Sequence, residues 1–328
     1  MSKYTIEDLR QLQAMNLESK VTLTKARIRE WVELNGGEDK VYVSFSGGKD
    51  STVLLHLVRQ DYPNVEAVFV NTGLEYPEIQ KFAQSFDNVT VIRPKMRFDE
   101  VIKKFGYPVI GKEVAYNISM AKRAKPGSLY HKKMTGQLKD KDGNKSRYTY
   151  EKYYPLLEQN DFMISESCCR VMKKAPIKKI KKLVITAQMA DESQLRTHKW
   201  LQNGCNAFDL KRPISNPMSF WTEQDVLRYV KENKIPICSV YGEIVSMSDD
   251  KQMCFEGCGK LCTTGCKRTG CIFCAFGVHL EKGETRFQIL KRTHPKQYDY
   301  CIGGGGTTRT AYGNLIRMGS AWGTCSIR

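Results

Sequence analysis

The chain has 328 residues, 41% hydrophobic and 27% charged, with 52 Lys and Arg against 35 Asp and Glu and a formal charge of +17. This balance excludes a disulfide-stapled miniature domain and a disordered chain, and the length calls for a main domain with a smaller one or a large insertion. No stretch reaches the ~18 consecutive apolar residues of a membrane helix, and the N-terminal MSKYTIEDLRQLQAM lacks a signal peptide's apolar core, so a cytoplasmic protein with no membrane partner is expected.

In chain order, residues 6–35 carry apolar side chains at helical spacing up to the Gly36-Gly37 break, and Val41-Tyr42-Val43-Ser44-Phe45 reads as a buried strand. Ser46-Gly47-Gly48-Lys49-Asp50-Ser51 follows, and residues 52–60 (TVLLHLVRQ) return to helical spacing. A strand at 65–70 runs into Asn71-Thr72-Gly73-Leu74-Glu75-Tyr76-Pro77-Glu78 and a helix over about 75–86, and a third strand at 89–92 precedes helical segments at 98–105 and 112–125. Residues 126–150 turn hydrophilic and basic without a sustained period, which predicts an irregular insertion. A strand at 183–186 restores the alternation, with helices over 192–203 and after Trp221-Thr222, where Thr222 is the expected N-cap. A helix over 284–294, stopped by Pro295, and a glycine-rich tail complete the chain.

Strands alternating with helices predict an α/β fold, a doubly wound parallel sheet of Rossmann-like type, followed by a cysteine-rich C-terminal region. Three segments result: a helical one at 1–37, an α/β nucleotide-binding domain at 38–250 interrupted by the basic insertion, and the cysteine-rich part with its tail at 251–328.

The loop at 46–51 lies between the end of a strand and the start of a helix. Gly47 and Gly48 let backbone amides approach phosphate oxygens, the helix N-terminus adds partial positive charge, and Lys49 adds a full one. Ser46 and Ser51 offer hydroxyls, and Asp50 suits Mg²⁺ better than an anion. The pattern is not the GxxxxGK[ST] of ordinary nucleotide triphosphatases.

It resembles the SGGxDS loop of the PP-loop ATP pyrophosphatases, which have a HUP-type fold. Further segments extend the likeness to the phosphoadenosine phosphosulfate (PAPS) reductase family. Asn71 to Glu78 resembles DTGxxFPE, Cys168-Cys169-Arg170 with Lys173, Lys174 and Pro176 resembles CCxxRKxxPL, and Ala190-Asp191-Glu192-Ser193 with Arg196 resembles RxDES…R. Trp221 to Val226 resembles WTxxDV, and Gly270-Cys271-Ile272-Phe273-Cys274 resembles GCxxCT. The resemblance implies an adenine nucleotide site that includes Asn71, Thr72, Gly73, Glu192 and Arg196. It also implies a [4Fe–4S] cluster on Cys168, Cys169, Cys271 and Cys274.

Three departures separate this chain from true sulfonucleotide reductases. Their degenerate SFG-type loop is replaced by the full SGGKDS, the arginine before DES is missing from Ala187-Gln188-Met189-Ala190, and the terminal ECGxH is replaced by Gly323-Thr324-Cys325-Ser326-Ile327-Arg328. The intact loop is shared with the DNA phosphorothioation and tRNA thiolation branches. Two enzymatic readings therefore stand. The first is ATP-dependent sulfur transfer onto a nucleic acid or small molecule, with ATP, Mg²⁺ and the cluster as cofactors. The second is thiol-dependent sulfonucleotide reduction, with Cys325 attacking sulfur. A non-catalytic cluster-bearing nucleic-acid binder is the third.

Of the twelve cysteines, six fall between Cys254 and Cys274. In a reducing compartment that density argues for metal ligation or redox chemistry. Cys266 competes for the cluster through its CxxxxC spacing to Cys271, Cys301 is an alternative fourth ligand, and zinc remains open for the CxxC. Cys254, Cys258 and Cys262 form an optional second metal site, while Cys205 and Cys238 read as buried fillers. The charge makes nucleic acid a candidate partner beside a sulfur donor or reductant protein, and a homo-oligomer is left open. His56 reads as a packed residue. Arg286, Lys291 and Arg292 read as a solvated helix face that could meet a polyanion, and the Gly303 to Gly306 run as a phosphate nest or linker.

Overall fold

The computed structural model describes residues 2–158, 162–248 and 259–303. Cys254, Cys258, Cys325 and nearly all of the glycine-rich tail lie outside them. Ten strands occur among the described residues: β1 Val41–Phe45, β2 Glu66–Val70, β3 Val89–Ile92, β4 Val109–Ile110, β5 Leu183–Ile185, β6 Asn206–Ala207, β7 Ile214–Ser215, β8 Ile244–Met247, β9 Lys260–Thr263 and β10 Ala275–Phe276. The chain forms two interleaved compact units. The first comprises Met1–Asn71, Glu75–Ile92 and Ile177–Thr269, and the second Thr72–Leu74, Arg93–Pro176 and the chain from Gly270 onward.

The first unit is built on a six-stranded sheet of order β3-β2-β1-β5-β7-β6. β1 pairs in parallel with β2 on one side and β5 on the other, β2 with β3 and β5 with β7 are also parallel, and β6 runs antiparallel to β7 at the edge. The α/β expectation holds, with the correction that the sheet is mostly rather than wholly parallel. β1 is central and four of its five residues are buried, which is why it reads as a continuous apolar run. Val41, Val43 and Phe45 join Val53, Leu54 and Leu57 of the next helix in one core with Trp31, Phe220 and Trp221.

The N-terminal segment is not one helix over 6–35 but two, Ile6–Ala14 and Leu17–Leu34, because the Asn16 side chain caps the second by accepting from Ser19 N–H. The second helix is tied to the core by the Trp221 indole donating to Thr24 Oγ1 at 2.8 Å and by Lys20, 2% exposed, paired with Asp225 at 2.6 Å. Asp225 also closes the capping box of helix Glu223–Glu232 with Thr222, as the sequence predicts. Truncating Lys20 to methionine leaves that carboxylate half-compensated. Since losing one partner of a buried pair costs about 3–5 kcal/mol, urea unfolding at pH 7 should show a loss of about 3 kcal/mol. A loss below about 1 kcal/mol would assign the stability to the cap alone.

In the second unit, two-residue strands do the positioning. β4 pairs in parallel with β10, Tyr107 bridges Ile164, Gly277 N–H donates to Ile110 O at 2.7 Å, and Ile272 N–H donates to Leu74 O at 2.7 Å. Gly106, at φ +100°, makes the 107–164 approach possible, since a Cβ there would lie 2.6 Å from Met163 O. The basic segment is more ordered than its composition suggests. It contains helix Leu129–Met134, capped by Ser128 and packed on helix Lys112–Arg123, and a Lys139–Lys145 bridge. Helix Arg286–Thr293 ends before Pro295, as the sequence predicts, and Pro295 opens a separate short turn. It occupies the first position of that turn, Pro295–Tyr298, where its missing N–H costs nothing.

Candidate functional site

The strand order reverses at β1, with β2 and β3 to one side and β5 and β7 to the other, and open α/β sheets bind ligands beyond the carboxyl ends of the strands at such a point. The Ser46–Ser51 loop leaves β1 there and enters helix Lys49–Asp61. Gly47 takes φ +69°, and a Cβ on it would sit 3.1 Å from both the Ile79 side chain and carbonyl, so only glycine fits. Ser46 N–H donates to Ser51 Oγ at 3.1 Å, and Ser51 Oγ donates to Gly48 O at 2.9 Å. These serines thus fix the loop's shape rather than project freely.

Lys49 is 3% exposed. Its ammonium contacts Glu223 at 3.1 Å, Asp50 at 3.6 Å and the Lys267 carbonyl at 3.1 Å, and stands 5.7 Å from the Tyr241 ring centroid. The Asp50 carboxyl is pushed up by desolvation, with Lys49 opposing and Glu192 and Glu223 reinforcing the rise. Its Oδ1 is buried without a hydrogen-bond partner. One buried carboxylate oxygen without a hydrogen-bond partner, 3.6 Å from the Lys49 ammonium, is a single hard donor of the kind Mg²⁺ takes beside substrate phosphates and water.

Tyr241 and Thr269 complete the loop's surroundings without any signal in the sequence. Lys49 N–H, one of the amides the loop would offer to phosphate, donates to Tyr241 Oη at 3.1 Å, and that hydroxyl shares a 2.7 Å hydrogen bond with Thr269 Oγ1. Burial pushes the phenol up to about 12, so it stays neutral across the physiological range. No local pattern marks a partner almost two hundred residues away. Because the hydroxyl competes with phosphate for this amide, Tyr241→Phe should tighten equilibrium binding of adenine nucleotide by roughly two- to tenfold. Weaker binding would mean the hydroxyl itself contacts the ligand.

Asn71 is buried at the end of β2, its amide donating to Gln80 Oε1 at 3.4 Å. Thr72 and Gly73 belong to the second unit, where Thr72 Oγ1 accepts from Leu74 N–H at 3.2 Å and Gly73 adopts φ +74°. Glu192 and Arg196 form an ion pair with each other, and Glu192 also accepts from Met189 N–H at 3.1 Å. Arg196 is thus already partnered. His56 is packed, its Nδ1 3.0 Å from Tyr229 Oη.

Cys168, Cys169, Cys271 and Cys274 all lie in the second unit. The β4–β10 pairing starts one residue after Cys274, and the Tyr107–Ile164 bridge lies four residues before Cys168, so these two short pairings draw the CC and CxxC segments together. The Cys168 thiol is pushed well above its usual value by burial and then by Cys271, Cys169 and Cys274, with Lys173 opposing. Cys274 rises through burial and Cys169, eased by Phe276 N–H, Arg286 and Lys112. Arg286 is therefore not a free surface cation. It donates to the Cys274 carbonyl at 3.3 Å and pairs with Glu281. Lys291 stacks on Tyr298, and Arg292 pairs with Glu284 at 2.9 Å.

Cys301 is buried, and burial alone raises its thiol. Cys266 lies in the first unit, where its neighbour is Cys238. Among the described residues no three His, Cys, Asp or Glu side chains converge on a point as one ion would require. A four-iron cluster instead binds each thiolate to a separate iron, so its ligands ring a volume.

A family model described as the phosphoadenosine phosphosulfate reductase domain matches residues 40–110 and 120–276. The chain belongs to this family. The PAPS reductase match takes in the phosphate loop, the CC pair and the CxxC. Over 208 residues the chain is 24% identical to the adenosine 5'-phosphosulfate reductase of Bacillus cereus (strain B4264), covering 61% of this chain and 66% of that enzyme. Over 73 residues it is 38% identical to an uncharacterized protein of Methanocaldococcus jannaschii, covering 21% of this chain. The chain thus spans 66% and 18% of the lengths of these two relatives.

Among solved structures it matches the PAPS reductase of Candida auris in its phosphate complex, at TM-score 0.38 and 16% identity, over 72% of this chain and 91% of that one. It also matches the U34-tRNA thiolase NcsA of Methanococcus maripaludis with its [4Fe-4S] cluster, at TM-score 0.32 and 13% identity, over 92% and 80%. No helix among the described residues is long and apolar enough to cross a membrane.

Proposed function

We propose that this PAPS reductase-family enzyme is an ATP pyrophosphatase coupled to sulfur transfer. The observation that carries the reading is the complete SGGKDS loop, with Lys49 nearly buried at the start of the helix where the strand order reverses. A sulfonucleotide is already activated and releases no pyrophosphate, so its reduction does not call for a complete pyrophosphatase loop.

In the proposed reaction an acceptor oxygen attacks the α-phosphorus of ATP, the bond from that phosphorus to the α–β bridging oxygen breaks, and pyrophosphate leaves. Lys49 and the amides of Gly48 and Lys49 face the charge developing on the leaving group. Asp50 would help hold the Mg²⁺ that accompanies ATP, and a sulfur nucleophile then displaces AMP from the adenylated acceptor. Cys168, Cys169, Cys271 and Cys274 would hold a [4Fe–4S] cluster, which supplies a site for activated sulfur when bound.

A second reading, sulfonucleotide reduction, is favoured by the relationship to the Bacillus cereus enzyme. It would use Lys49, Ser46 and Arg196 on the anion and Cys325 as nucleophile. Anaerobically reconstituted protein incubated with ATP, adenylylsulfate or phosphoadenylylsulfate separates the two. With ATP alone, water stands in for the acceptor oxygen, so slow release of pyrophosphate and AMP is expected, whereas sulfite that disappears in Cys325→Ser would overturn the proposal.

A further inference from the structure

We propose that the basic appendage at residues 112–152 of the second unit docks an unpaired segment of nucleic acid. This inference rests on the sulfur-transfer reading and names the acceptor's class. The segment holds eleven Lys and Arg against four Asp and Glu, concentrating +7 of the chain's +17 in an eighth of its length.

The appendage is a folded platform, not a loose charged tail. Tyr116 and Tyr130 join its two helices through their hydroxyls at 3.1 Å, Tyr150 N–H donates to Lys133 O at 2.8 Å, and the Tyr150 hydroxyl donates to Glu113. The stretch 138–146 folds back on itself, with Ser146 N–H donating to Leu138 O at 2.8 Å, and Met134 and Asn117 are buried beneath.

Its acids are mostly engaged and its bases mostly are not. The Asp140 carboxylate accepts from the Asp142 and Asn144 amides at 3.0 and 2.9 Å, Glu151 pairs with Lys145 at 2.6 Å, and Glu113 takes the Tyr150 hydroxyl. Arg123, Lys125, Lys132, Lys139 and Lys141 are exposed, and no ion pair to an acid is formed by any of them among the described residues. That leaves a surface whose charge is available to a polyanion.

Aromatic planes narrow the partner. The Arg147 guanidinium lies 4.9 Å from the centroid of the Tyr148 ring, and Tyr148 is 50% exposed. Tyr116 is 38% exposed. Cations interleaved with accessible rings suit a phosphate backbone with bases free to stack. An anionic membrane would instead require a continuous apolar helix face, and the large apolar side chains exposed on these two helices are Tyr116 and Leu129 alone. The base of the appendage also adjoins the thiols, since helix Lys112–Arg123 begins two residues after β4, and β4 pairs with β10, which directly follows Cys274. A strand held on this platform therefore ends beside the sulfur chemistry of the same unit.

The test is fluorescence anisotropy of the reconstituted full chain with labelled single-stranded, hairpin and duplex oligonucleotides, and with phosphatidylserine vesicles, over a salt series. The fourfold variant Arg123→Ala, Lys125→Ala, Lys132→Ala, Lys139→Ala should lower the slope of log affinity against log salt by about 3, at roughly 0.7 for each phosphate no longer neutralised. Tyr148→Ala should weaken single-strand binding about tenfold, and Tyr148→Phe should restore it. Iron content and oligonucleotide-free pyrophosphate release should be unchanged in all of them. Wild-type binding by the fourfold variant, equal binding of duplex and single strand, or binding of vesicles alone would overturn the docking proposal. Oligonucleotide binding without pyrophosphate release from ATP would instead sink the reaction while leaving the surface standing.

Discussion

Lys49→Ala is expected to lower pyrophosphate release from ATP by about 10²–10³-fold, the usual cost of losing one preorganised group aimed at developing charge. The ammonium is almost completely withdrawn from water, so its charge is weakly screened, and its neighbours Glu223, Asp50 and the Lys267 carbonyl hold it in one place. Without it, Asp50 loses the strongest charge opposing its upward shift and becomes easier to protonate. The variant should therefore also need more Mg²⁺ for half-maximal rate. Glu223 is 42% exposed at its side chain and can be rehydrated, so the variant should fold, which thermal unfolding would check. Lys49→Arg should rescue poorly, because a planar guanidinium replaces a compact charge in a space bounded by Tyr241. Release within threefold of wild type in Lys49→Ala would remove the loop from the chemistry.

What the sequence made legible is what local physics dictates. β1 and the helix after the glycine loop are readable because a five-residue apolar run, two glycines and a 3.6-residue period are contiguous. The Thr222 cap is readable from Thr-x-x-Asp. The break at Asn16 carries its own capping signal, which the apolar periodicity on either side masks. By contrast β4, β6, β7 and β10 are two residues long and carry no period, so their pairings, including the one that gathers the cysteines, are set by tertiary contacts alone. Tyr241 and Thr269 reach Lys49 across the fold for the same reason, and nothing near them in sequence announces it. The cysteine set rests on family likeness, since spacing alone leaves Cys266 a competitor and Cys301 a weaker alternative fourth ligand. Cys266 falls in the other unit, and Cys301 has no cysteine among the causes of its shift.

That distinction yields the second large effect. Cys168→Ser should drop iron from about four per chain to near zero and abolish the visible iron–sulfur absorbance, while Cys301→Ser should keep both. Cys168 is buried where the other three are half-buried, and its thiol is raised by burial and by the other three, so the metal-free site disfavours the thiolate of Cys168, and likewise that of Cys274. Ligation must strip those protons, so cluster loading should strengthen as pH rises from about 6.5 to 8.5, near the ordinary thiol value. The stability of the metal-free fold runs the other way. With folded thiol values above the unfolded ones, that stability is complete below the ordinary thiol range. It falls at higher pH, where the unfolded chain ionises first. Loading that strengthens with pH below the ordinary thiol value, while metal-free stability stays level there and falls only above it, is the signature of Cys168 and Cys274 held as neutral thiols before the cluster arrives. Retained iron in Cys168→Ser, or its loss in Cys301→Ser, would move the fourth ligand to Cys301.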